Sequence, residues 1–248
     1  MKTKMTSLTI SKRLQTIARY CPEGARVADI GSDHALLASY LLVKGIASFV
    51  IAGELNEGPF QAAKKQIHTL QVKDRASVRK GNGLAVLEPG EADVVCIAGM
   101  GGQLIVSILE AGLSKLEGVQ RLILQPNVGE EAVRRWLLNQ GWQLVAETIL
   151  KEDGIIYEIL VAERGVPTVP YENKDRPQED LLRIGPFLWE EKSEILLEKW
   201  SSEAEKWQKV LLQLQRSDKP EVAQRIAEIE REVKWINEVI ACLRTDKP

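Results

Sequence analysis

The sequence has few cysteines, no long apolar run and almost no net charge, and each absence excludes a class of protein. Its three cysteines, Cys21, Cys96 and Cys242, are widely spaced. They match neither a disulfide framework nor a metal-binding set, and they are typical of a reducing cytosol. No apolar run reaches the roughly 18 residues that cross a bilayer, and the first residues lack the apolar core of a secretory signal. We therefore expect a cytoplasmic protein with no membrane partner and no metal site.

What is present is an ordinary globular composition with an uneven distribution of charge. Hydrophobic residues make up 44% of the 248 residues and charged residues 27%, and the net charge of −2 excludes a protein that is basic all over. Residues 1–26, however, hold six lysines and arginines against Glu23 alone, a local charge of +5. The chain is also longer than one average domain of roughly 150 residues.

Between residues 26 and 164, short apolar runs alternate with amphipathic helical patterns. The runs are rich in Val, Ile and Leu, as in parallel strands covered by helices on both faces, so we predict an α/β, doubly wound, Rossmann-like sheet. The alternation breaks at Trp142–Leu150 and Ile155–Ala162, which only residues 151–154 separate. Because so short a connection joins antiparallel strands only, the sheet is predicted to finish with a hairpin, which a plain dinucleotide-binding sheet does not need.

The rest of the chain is predicted to be a linker and a pair of helices. Residues 166–180 are polar and rich in proline, which is typical of a linker. Beyond them, apolar residues recur at spacings of three and four on both sides of the turn at 217–220, which predicts an antiparallel coiled-coil hairpin over 181–248. Trp200 and Trp207 lie on its predicted seam, so we expect them in its core. The predicted units are thus 1–165, 166–180 and 181–248.

The first strand ends in a turn that is a candidate ligand site. Gly31 lets the backbone approach a ligand closely, while Asp29 and Asp33 flank it. Two carboxylates line a pyrophosphate site poorly, but they suit a cationic ligand such as the sulfonium and ammonium of S-adenosylmethionine (SAM). An ordinary tight turn between a strand and a helix explains the motif equally well.

Three further loops follow strands and are predicted to meet at the same sheet edge. Glu54 can accept both hydroxyls of a ribose, Asn82 can bond an adenine edge, and the loop at 98–102 offers bare backbone beside the soft side chain of Met100. Each alone is equally a solvated loop or a glycine-rich turn. Their convergence on one edge favours a nucleoside ligand.

Two more candidates lie in the last strands. Asn127 can bond a substrate base or cap the following helix. Tyr157 can stack on a base or belong to the core of the sheet, and for Tyr157 and Glu158 we favour the structural interpretation.

The chain resembles the bacterial tRNA (adenine-22-N1) methyltransferase family over essentially its whole length. The resemblance rests on a helical hairpin that follows six motifs, which occur in the order DIGSDHALL, IAGELN, GNGL, AGMGG, QPN and EDGIIYEI. The resemblance implies a class I SAM-dependent methyltransferase fold with a seven-stranded sheet, SAM as cofactor and tRNA as partner. Asp33 and Ala35 stand where the wider class has glycines, in agreement with this family. The cofactor-binding residues that the resemblance implies are Asp29, Gly31, Ser32, Asp33, His34, Glu54, Asn82, Gly83, Ala98, Gly99, Met100, Gly101 and Gln125.

The chemistry of adenine N1 limits what the protein must supply. The N1 lone pair is nucleophilic while the base is neutral, so no catalytic base is needed, and the product ring is cationic. Positioning and stabilisation of the developing charge remain. We predict Asp33 as the catalytic electrostatic partner and Asn127 as the residue that holds the edge of the base.

The basic amino-terminal segment is predicted to face RNA. Its cations can contact phosphates while its apolar residues pack on the sheet, although a solvated amphipathic face is the plain alternative. The predicted RNA-binding residues are Lys12, Arg13, Arg19, Arg79 and Lys80. We expect a monomer, and the sequence leaves open whether the hairpin also dimerises.

Two other functions stay open at this point. A nicotinamide-dependent oxidoreductase on a similar sheet is disfavoured by the missing pyrophosphate glycines and the terminal hairpin. A non-catalytic RNA-binding adaptor is disfavoured by the intact set of loops.

Overall fold

A computed structural model describes residues 8–70, 73–215 and 222–245. The chain divides into two compact units, Met1–Phe187 and Leu188–Pro248. No helix in these ranges is both long enough and apolar enough to span a membrane.

The first unit is built on one seven-stranded sheet with the order β3-β2-β1-β4-β5-β7-β6. The strands are β1 (Ala25–Ile30), β2 (Ala47–Glu54), β3 (Ala76–Lys80), β4 (Val94–Gly101), β5 (Arg121–Val128), β6 (Trp142–Glu152) and β7 (Ile155–Arg164). The first five strands pair in parallel, whereas β7 is antiparallel to β5 and to β6. The predicted Rossmann-like sheet and its terminal hairpin are therefore confirmed.

Helices cover both faces of this sheet, because its central strands are apolar on both sides. In β1, Ala28 and Ile30 belong to one buried cluster and Val27 to a second. Alternate residues of a strand point to opposite faces, so the two clusters are the cores above and below the sheet. The helices of this part are α1 (Lys12–Arg19), α2 (Leu36–Val43), α3 (Glu57–His68), α4 (Gly102–Ala111) and α5 (Glu130–Asn139).

Helix α1 is held at its start against the β6–β7 hairpin. Ser11 caps it by accepting from the Leu14 N–H at 3.2 Å. The Glu152 carboxylate at the end of β6 accepts from the backbone N–H groups of Lys12 and Arg13, at 2.6 and 3.1 Å. Ile17 is fully buried, so the predicted packing of this helix by its apolar residues is present.

The segment after β7 is more structured than the predicted linker. Tyr171 is buried as the last residue of a short 3-10 helix, Val169–Tyr171, and α6 (Gln178–Ile184) begins within the predicted linker. The division between compact units follows Phe187, so α6 belongs with the sheet rather than with the helical hairpin. Proline and polar residues indicate a segment without hydrophobic periodicity, but they do not exclude short helices that pack on the rest of the unit.

After α7 (Pro186–Glu191), the second unit contains α8 (Glu194–Leu214) and α9 (Val222–Thr245). Trp200, early in α8, packs edge-to-face on Trp235, late in α9, with ring centroids 5.2 Å apart, as expected of an antiparallel pair. Trp200 is buried and Trp207 is partly buried. The predicted turn at 217–220 lies outside the described residues.

Candidate active site

The turn between β1 and α2 has an unusual backbone. Gly31 has φ +72°, and Asp33, His34 and Ala35 follow with φ of 37°, 65° and 55°. L-residues rarely adopt these left-handed values, which explains why glycines are usual at two of these positions in the wider class. A Cβ at Gly31 would also collide with the Met100 methyl group. Strain of this kind persists where surrounding structure holds it, and it clusters at functional sites.

Asp29 brings an incompletely paired carboxylate into this turn. Its residue is 4% exposed, and its Oδ2 atom has no hydrogen-bond partner. Burial raises the pKa of Asp29 to about 7, although a backbone hydrogen bond from Ala38 acts in the opposite direction. A buried oxygen without a partner is costly, so this atom is a natural contact for a ligand donor.

Glu54 is joined to the same turn from the end of β2. The Ser32 hydroxyl donates to its Oε1 at 2.9 Å, and the Gly31 N–H donates to the Gly53 carbonyl at 2.9 Å. Asn82 and Gly83 follow β3, whose last residue pairs with Glu54 in the parallel register. The predicted ribose and adenine residues therefore lie side by side at one edge of the sheet.

The loops after β4 and β5 are locked together by side-chain amides. The Gln125 Oε1 accepts from the Gly99 N–H at 3.1 Å, and its Nε2 donates to Asn127 Oδ1 at 3.1 Å. The Asn127 Nδ2 in turn donates to the Gly99 carbonyl at 2.9 Å. Gln125 is fully buried, whereas Asn127 is exposed at the end of β5. This network sets the position of Asn127 before any substrate arrives.

These loops surround a cavity of about 750 Å³, within the size range of small-molecule sites. Many predicted site residues line it directly: Asp29, Gly31, Ser32, Asp33, Ala98, Gly99, Met100 and Asn127. Glu54 and Gln125 hydrogen-bond to lining residues, and His34 and Gly101 adjoin lining residues in the chain. Asn82 and Gly83 follow β3 and are not among the lining residues. His34 is exposed and its Nδ1 lies 2.9 Å from Asp33 Oδ1.

The structure adds residues that the sequence motifs did not indicate. The segment Thr9–Ser11, together with Leu14, Leu36, Leu37 and Ile155, also lines the cavity. Tyr157 lines it too and is only half-buried, so it is not a fully buried core residue of the sheet, and its stacking on a base stays a prediction. An alternating strand pattern does not tell which face of β7 meets the cavity, and no local signal in the sequence could have.

Arg13 lies inside the cavity rather than at the outer surface predicted for it. Its guanidinium donates to Gln125 Oε1 at 2.5 Å, and its Cζ atom lies 5.3 Å from the centroid of the Tyr157 ring. Among the described residues that line the cavity, Arg13 is therefore the cation, and its charge lowers the pKa of Asp29 against the larger effect of burial. The backbone N–H of Arg13 donates to Glu152 at the start of α1.

The other predicted RNA-binding residues differ in how far they are engaged. Arg79 makes a two-pronged ion pair with Glu91, at 2.7 and 2.6 Å, and Lys80 pairs with Glu57 at 2.6 Å. Lys12 and Arg19, on α1, are exposed. Charges already neutralised by a partner offer less to a phosphate, so the structure favours α1 as the basic surface.

Glu158, the neighbour of Tyr157 on β7, faces the other way and is fully buried. Arg134 on α5 donates to Glu158 Oε2 at 2.5 Å and to Glu147 Oε1 at 2.7 Å, and all three side chains are at most 1% exposed. The Phe187 N–H donates to Glu147 Oε2 at 3.1 Å. Glu158 therefore has the structural role that the sequence favoured.

The strand order, the antiparallel β7 and the ligand loops at the carboxyl ends of the strands together define a class I methyltransferase. Among the described residues, no group of three or more His, Cys, Asp or Glu residues could hold a metal ion.

Comparisons with known proteins identify the family. Residues 27–238 match the family model TrmK, tRNA (adenine(22)-N(1))-methyltransferase. A tRNA (adenine(22)-N(1))-methyltransferase of Bacillus subtilis is 45% identical over 95% of this chain and 99% of its own. The chain belongs to the tRNA (adenine(22)-N(1))-methyltransferase family and is an enzyme of that kind, which favours this interpretation over the oxidoreductase and the adaptor.

Solved structures of similar proteins support the same family. The B. subtilis M1A22 tRNA methyltransferase TrmK superposes with a TM-score of 0.87 at 45% identity, covering 94% of this chain and 99% of that one. A Streptococcus pneumoniae tRNA (m1A22) methyltransferase described as putative, solved in complex with SAM, gives 0.82 at 41% identity over 94% and 100% of the two chains.

Proposed function

We propose that the cavity binds SAM and receives the target adenine of tRNA against the Asn127 side of the cofactor. The observation that carries this proposal is the buried Asp29 oxygen without a partner, in a cavity whose other near carboxylate is Asp33. A cationic ligand supplies the missing partner of the buried Asp29 carboxylate, where the low dielectric strengthens the attraction, and it also meets the charge of the solvent-exposed Asp33. The S. pneumoniae relative solved with SAM supports the same assignment.

We assign the parts of the cofactor to the loops by their chemistry. Asp29 meets the ammonium group, Glu54 the ribose hydroxyls, and Asn82 with Gly83 the adenine edge. Gly31, next to Met100, leaves the space in which the backbone approaches the ligand. The remaining cofactor-binding residues that we propose, which shape the loops around these contacts, are Ser32, His34, Ala98, Gly99, Gly101 and Gln125.

When bound, SAM supplies an electrophilic methyl group on a sulfonium. The protein's task is then to hold N1 of a neutral adenine in line with the sulfur–methyl bond. As the N1–carbon bond forms and the sulfur–carbon bond breaks, sulfur keeps the bonding electrons and the ring becomes cationic. Asn127 holds the edge of the base, and the Asp33 carboxylate stabilises the positive charge that moves onto it. Neither residue needs to move a proton.

The exposed side of α1 is the surface that we propose for the tRNA backbone. Lys12 and Arg19 lie there, and phosphates are the natural partners of exposed cations. Arg79 and Lys80 contribute only if their ion pairs with Glu91 and Glu57 open. We further propose that the enzyme works as a monomer in the cytoplasm, since the residues of one chain surround the cavity.

Steady-state methyl transfer to unmodified tRNA, with the modified base mapped at position 22, tests these roles. With saturating SAM, Asp33→Asn should lower kcat at least tenfold, since one charge contact in a transition state is worth about that much or more. Lys12→Glu, assayed alongside, should raise KM for tRNA and flatten its salt dependence while kcat stays near normal. Near-normal kcat for Asp33→Asn would remove Asp33 from the mechanism, and absence of methylation by the wild type would remove the proposal.

A further inference from the structure

Gly99 is a bulged residue of β4, and its backbone is bonded by two side-chain amides of β5. The register of the two strands shifts between Ala98 and Met100, so Gly99 has no paired residue on β5. The Gly99 N–H donates to Gln125 Oε1 at 3.1 Å, and the Gly99 carbonyl accepts from Asn127 Nδ2 at 2.9 Å. The backbone of the bulge therefore determines how both amides are oriented.

The orientation of each amide follows from partners that cannot exchange roles. A guanidinium and a backbone N–H only donate, so Arg13, at 2.5 Å, and Gly99 identify the oxygen of the Gln125 amide. The Gln125 nitrogen then donates to Asn127 Oδ1 at 3.1 Å. A backbone carbonyl only accepts, so the Gly99 carbonyl identifies the nitrogen of the Asn127 amide. Rotating either amide by half a turn would place donor against donor or acceptor against acceptor.

Asn127 keeps one donor and one acceptor for a ligand. An amide nitrogen has two N–H groups, and an amide oxygen has two lone pairs. Among the described residues, the hydrogen bonds of Asn127 use one of each. Asn127 lines the cavity at the end of β5, as Met100 does from the neighbouring loop. The second N–H and the second lone pair therefore belong to an amide that is already held in one orientation.

We propose that Asn127, oriented by Gln125, binds the 6-amino group and N7 of the target adenine and thereby selects adenine over guanine. The inference rests on the function proposed above. Asn127 Oδ1 accepts from the amino group and Nδ2 donates to N7, which is the paired contact that asparagine makes with adenine in nucleic-acid recognition. Guanine has acceptors at both positions, so its O6 would oppose the Asn127 oxygen.

This contact leaves the reacting atom of the base free. N1 and N7 lie on opposite sides of the amino group, so both hydrogen bonds form while the N1 lone pair stays open to the methyl group. A hydrogen bond from Asn127 to N1 itself would occupy that lone pair. Gln125 is a positioning residue in this scheme, because it is fully buried, does not line the cavity and acts on the base through Asn127.

The test removes N7 from the substrate and compares two tRNAs with the same protein. 7-Deazaadenine at position 22 has carbon in place of N7 and keeps N1 and the amino group. With saturating SAM, the wild type should prefer adenine in kcat/KM by about fivefold or more, because the analogue loses one hydrogen bond of the paired contact. Asn127→Ala should lower kcat/KM for adenine and reduce the preference to within about twofold.

Gln125→Glu tests the positioning role. The introduced carboxylate still accepts from Arg13 and Gly99, but its other oxygen faces Asn127 Oδ1, so the Asn127 amide has to rotate. The preference for adenine over 7-deazaadenine should again fall to within about twofold. A merely structural role of Gln125 would lower the activity on both tRNAs alike and leave the preference intact.

Asp33→Asn is the matched control, because it changes a charge and not the contact with the base edge. Its kcat should fall on both tRNAs, with a preference within about twofold of the wild-type value. Each preference compares two substrates of one protein preparation, so a partial folding defect cancels. For a variant that turns over too slowly, competition between the two tRNAs for the protein saturated with S-adenosylhomocysteine measures the preference as a ratio of dissociation constants.

Three outcomes would each overturn the proposal: no preference in the wild type, an undiminished preference in Asn127→Ala or Gln125→Glu, and an equal loss of preference in Asp33→Asn. If the wild type methylates neither tRNA, the proposed function fails and this inference fails with it. If the wild type methylates both tRNAs equally well, the proposed function stands and only this inference fails.

Discussion

The unit that contains the sheet buries carboxylates in two regions, and these regions differ in whether the carboxylates have a partner. At the β1–α2 turn, Asp29 is buried with one oxygen unpartnered, and the backbone beside it is held in left-handed conformations. Behind β7, Glu147 and Glu158 are buried as deeply, but both bond to the Arg134 guanidinium. Both carboxylates of the second region already have a cationic partner, whereas one Asp29 oxygen in the first region has no hydrogen-bond partner.

The contrast is sharpest at two neighbouring residues of β7. Tyr157 lines the cavity, while Glu158, on the opposite face, belongs to the Arg134 cluster. One strand therefore connects the cavity that we propose as the ligand site to the buried Arg134 cluster. A buried charge indicates a ligand site only after its partners have been counted, since structural ion pairs bury charges equally well.

Breaking the paired cluster should produce the largest effect. Arg134→Ala leaves two buried carboxylates without their cation, so we expect the free energy of unfolding to fall by about 3–5 kcal/mol. Chemical denaturation of the protein without ligand measures it. Arg135, the next residue of α5, makes exposed ion pairs with Glu131 and Glu179, so Arg135→Ala should cost less than about 1 kcal/mol. Equal losses in the two variants would contradict the comparison.

Removing the unpaired Asp29 charge should raise the free energy of unfolding, and the size of this gain should depend on pH. Because burial raises the pKa of Asp29 to about 7, the folded state binds this proton more tightly than the unfolded chain. The stability of the wild type without SAM should therefore fall as pH rises from about 4 to 7, then level off. Asp29→Asn lacks this titration.

The stability of Asp29→Asn relative to wild type should accordingly rise between about pH 4 and pH 7, by on the order of 2–4 kcal/mol. Urea denaturation at several pH values provides the measurement, and a difference that is constant with pH would contradict it. The affinity of the wild type for SAM should increase as pH rises through 7, because only the carboxylate attracts the ammonium group, and Asp29→Asn should not show that increase.

We expect the smallest effect on stability from Gly→Ala variants at Gly24 and Gly31. Comparing them separates the cost of left-handed backbone from the cost of steric crowding in the β1–α2 turn. Gly24 and Gly31 have φ of +77° and +72°, but a Cβ at Gly24 meets open space, whereas one at Gly31 collides with Met100. Both Gly→Ala variants should lose about 1–2 kcal/mol of stability from left-handed backbone. Only Gly31→Ala should also lose SAM affinity, at least tenfold by titration calorimetry. Unimpaired binding by Gly31→Ala would show that Met100 moves aside freely.

Much of the site was predictable because its parts are local in the chain. DIGSDHALL, AGMGG and QPN each follow one strand, and the carboxyl ends of parallel strands must meet at one edge of the sheet. The hairpin of β6 and β7 was predictable for a similar reason, since only four residues join the two strands. These inferences need only short-range sequence and the general rules of α/β sheets.

Residues that depend on distant contacts were not predictable. Arg13 was predicted among the surface cations, yet the hydrogen bonds of Glu152 to the start of α1 accompany its placement beside Gln125 and Tyr157. Arg134 belongs to none of the sequence motifs. Its importance comes from partners 13 and 24 residues away and from the carbonyl groups of Leu182 and Arg183.

The sequence by itself therefore determined the class of fold, the order of the ligand loops and the family, because periodicity and short motifs are properties of neighbouring residues. Only the tertiary structure decided which charges are paired, which side of β7 meets the cavity, and that the first basic helix turns one arginine inward. These outcomes depend on distances between segments far apart in the chain, and burial makes such distances decisive, because a charge removed from water needs a partner within reach.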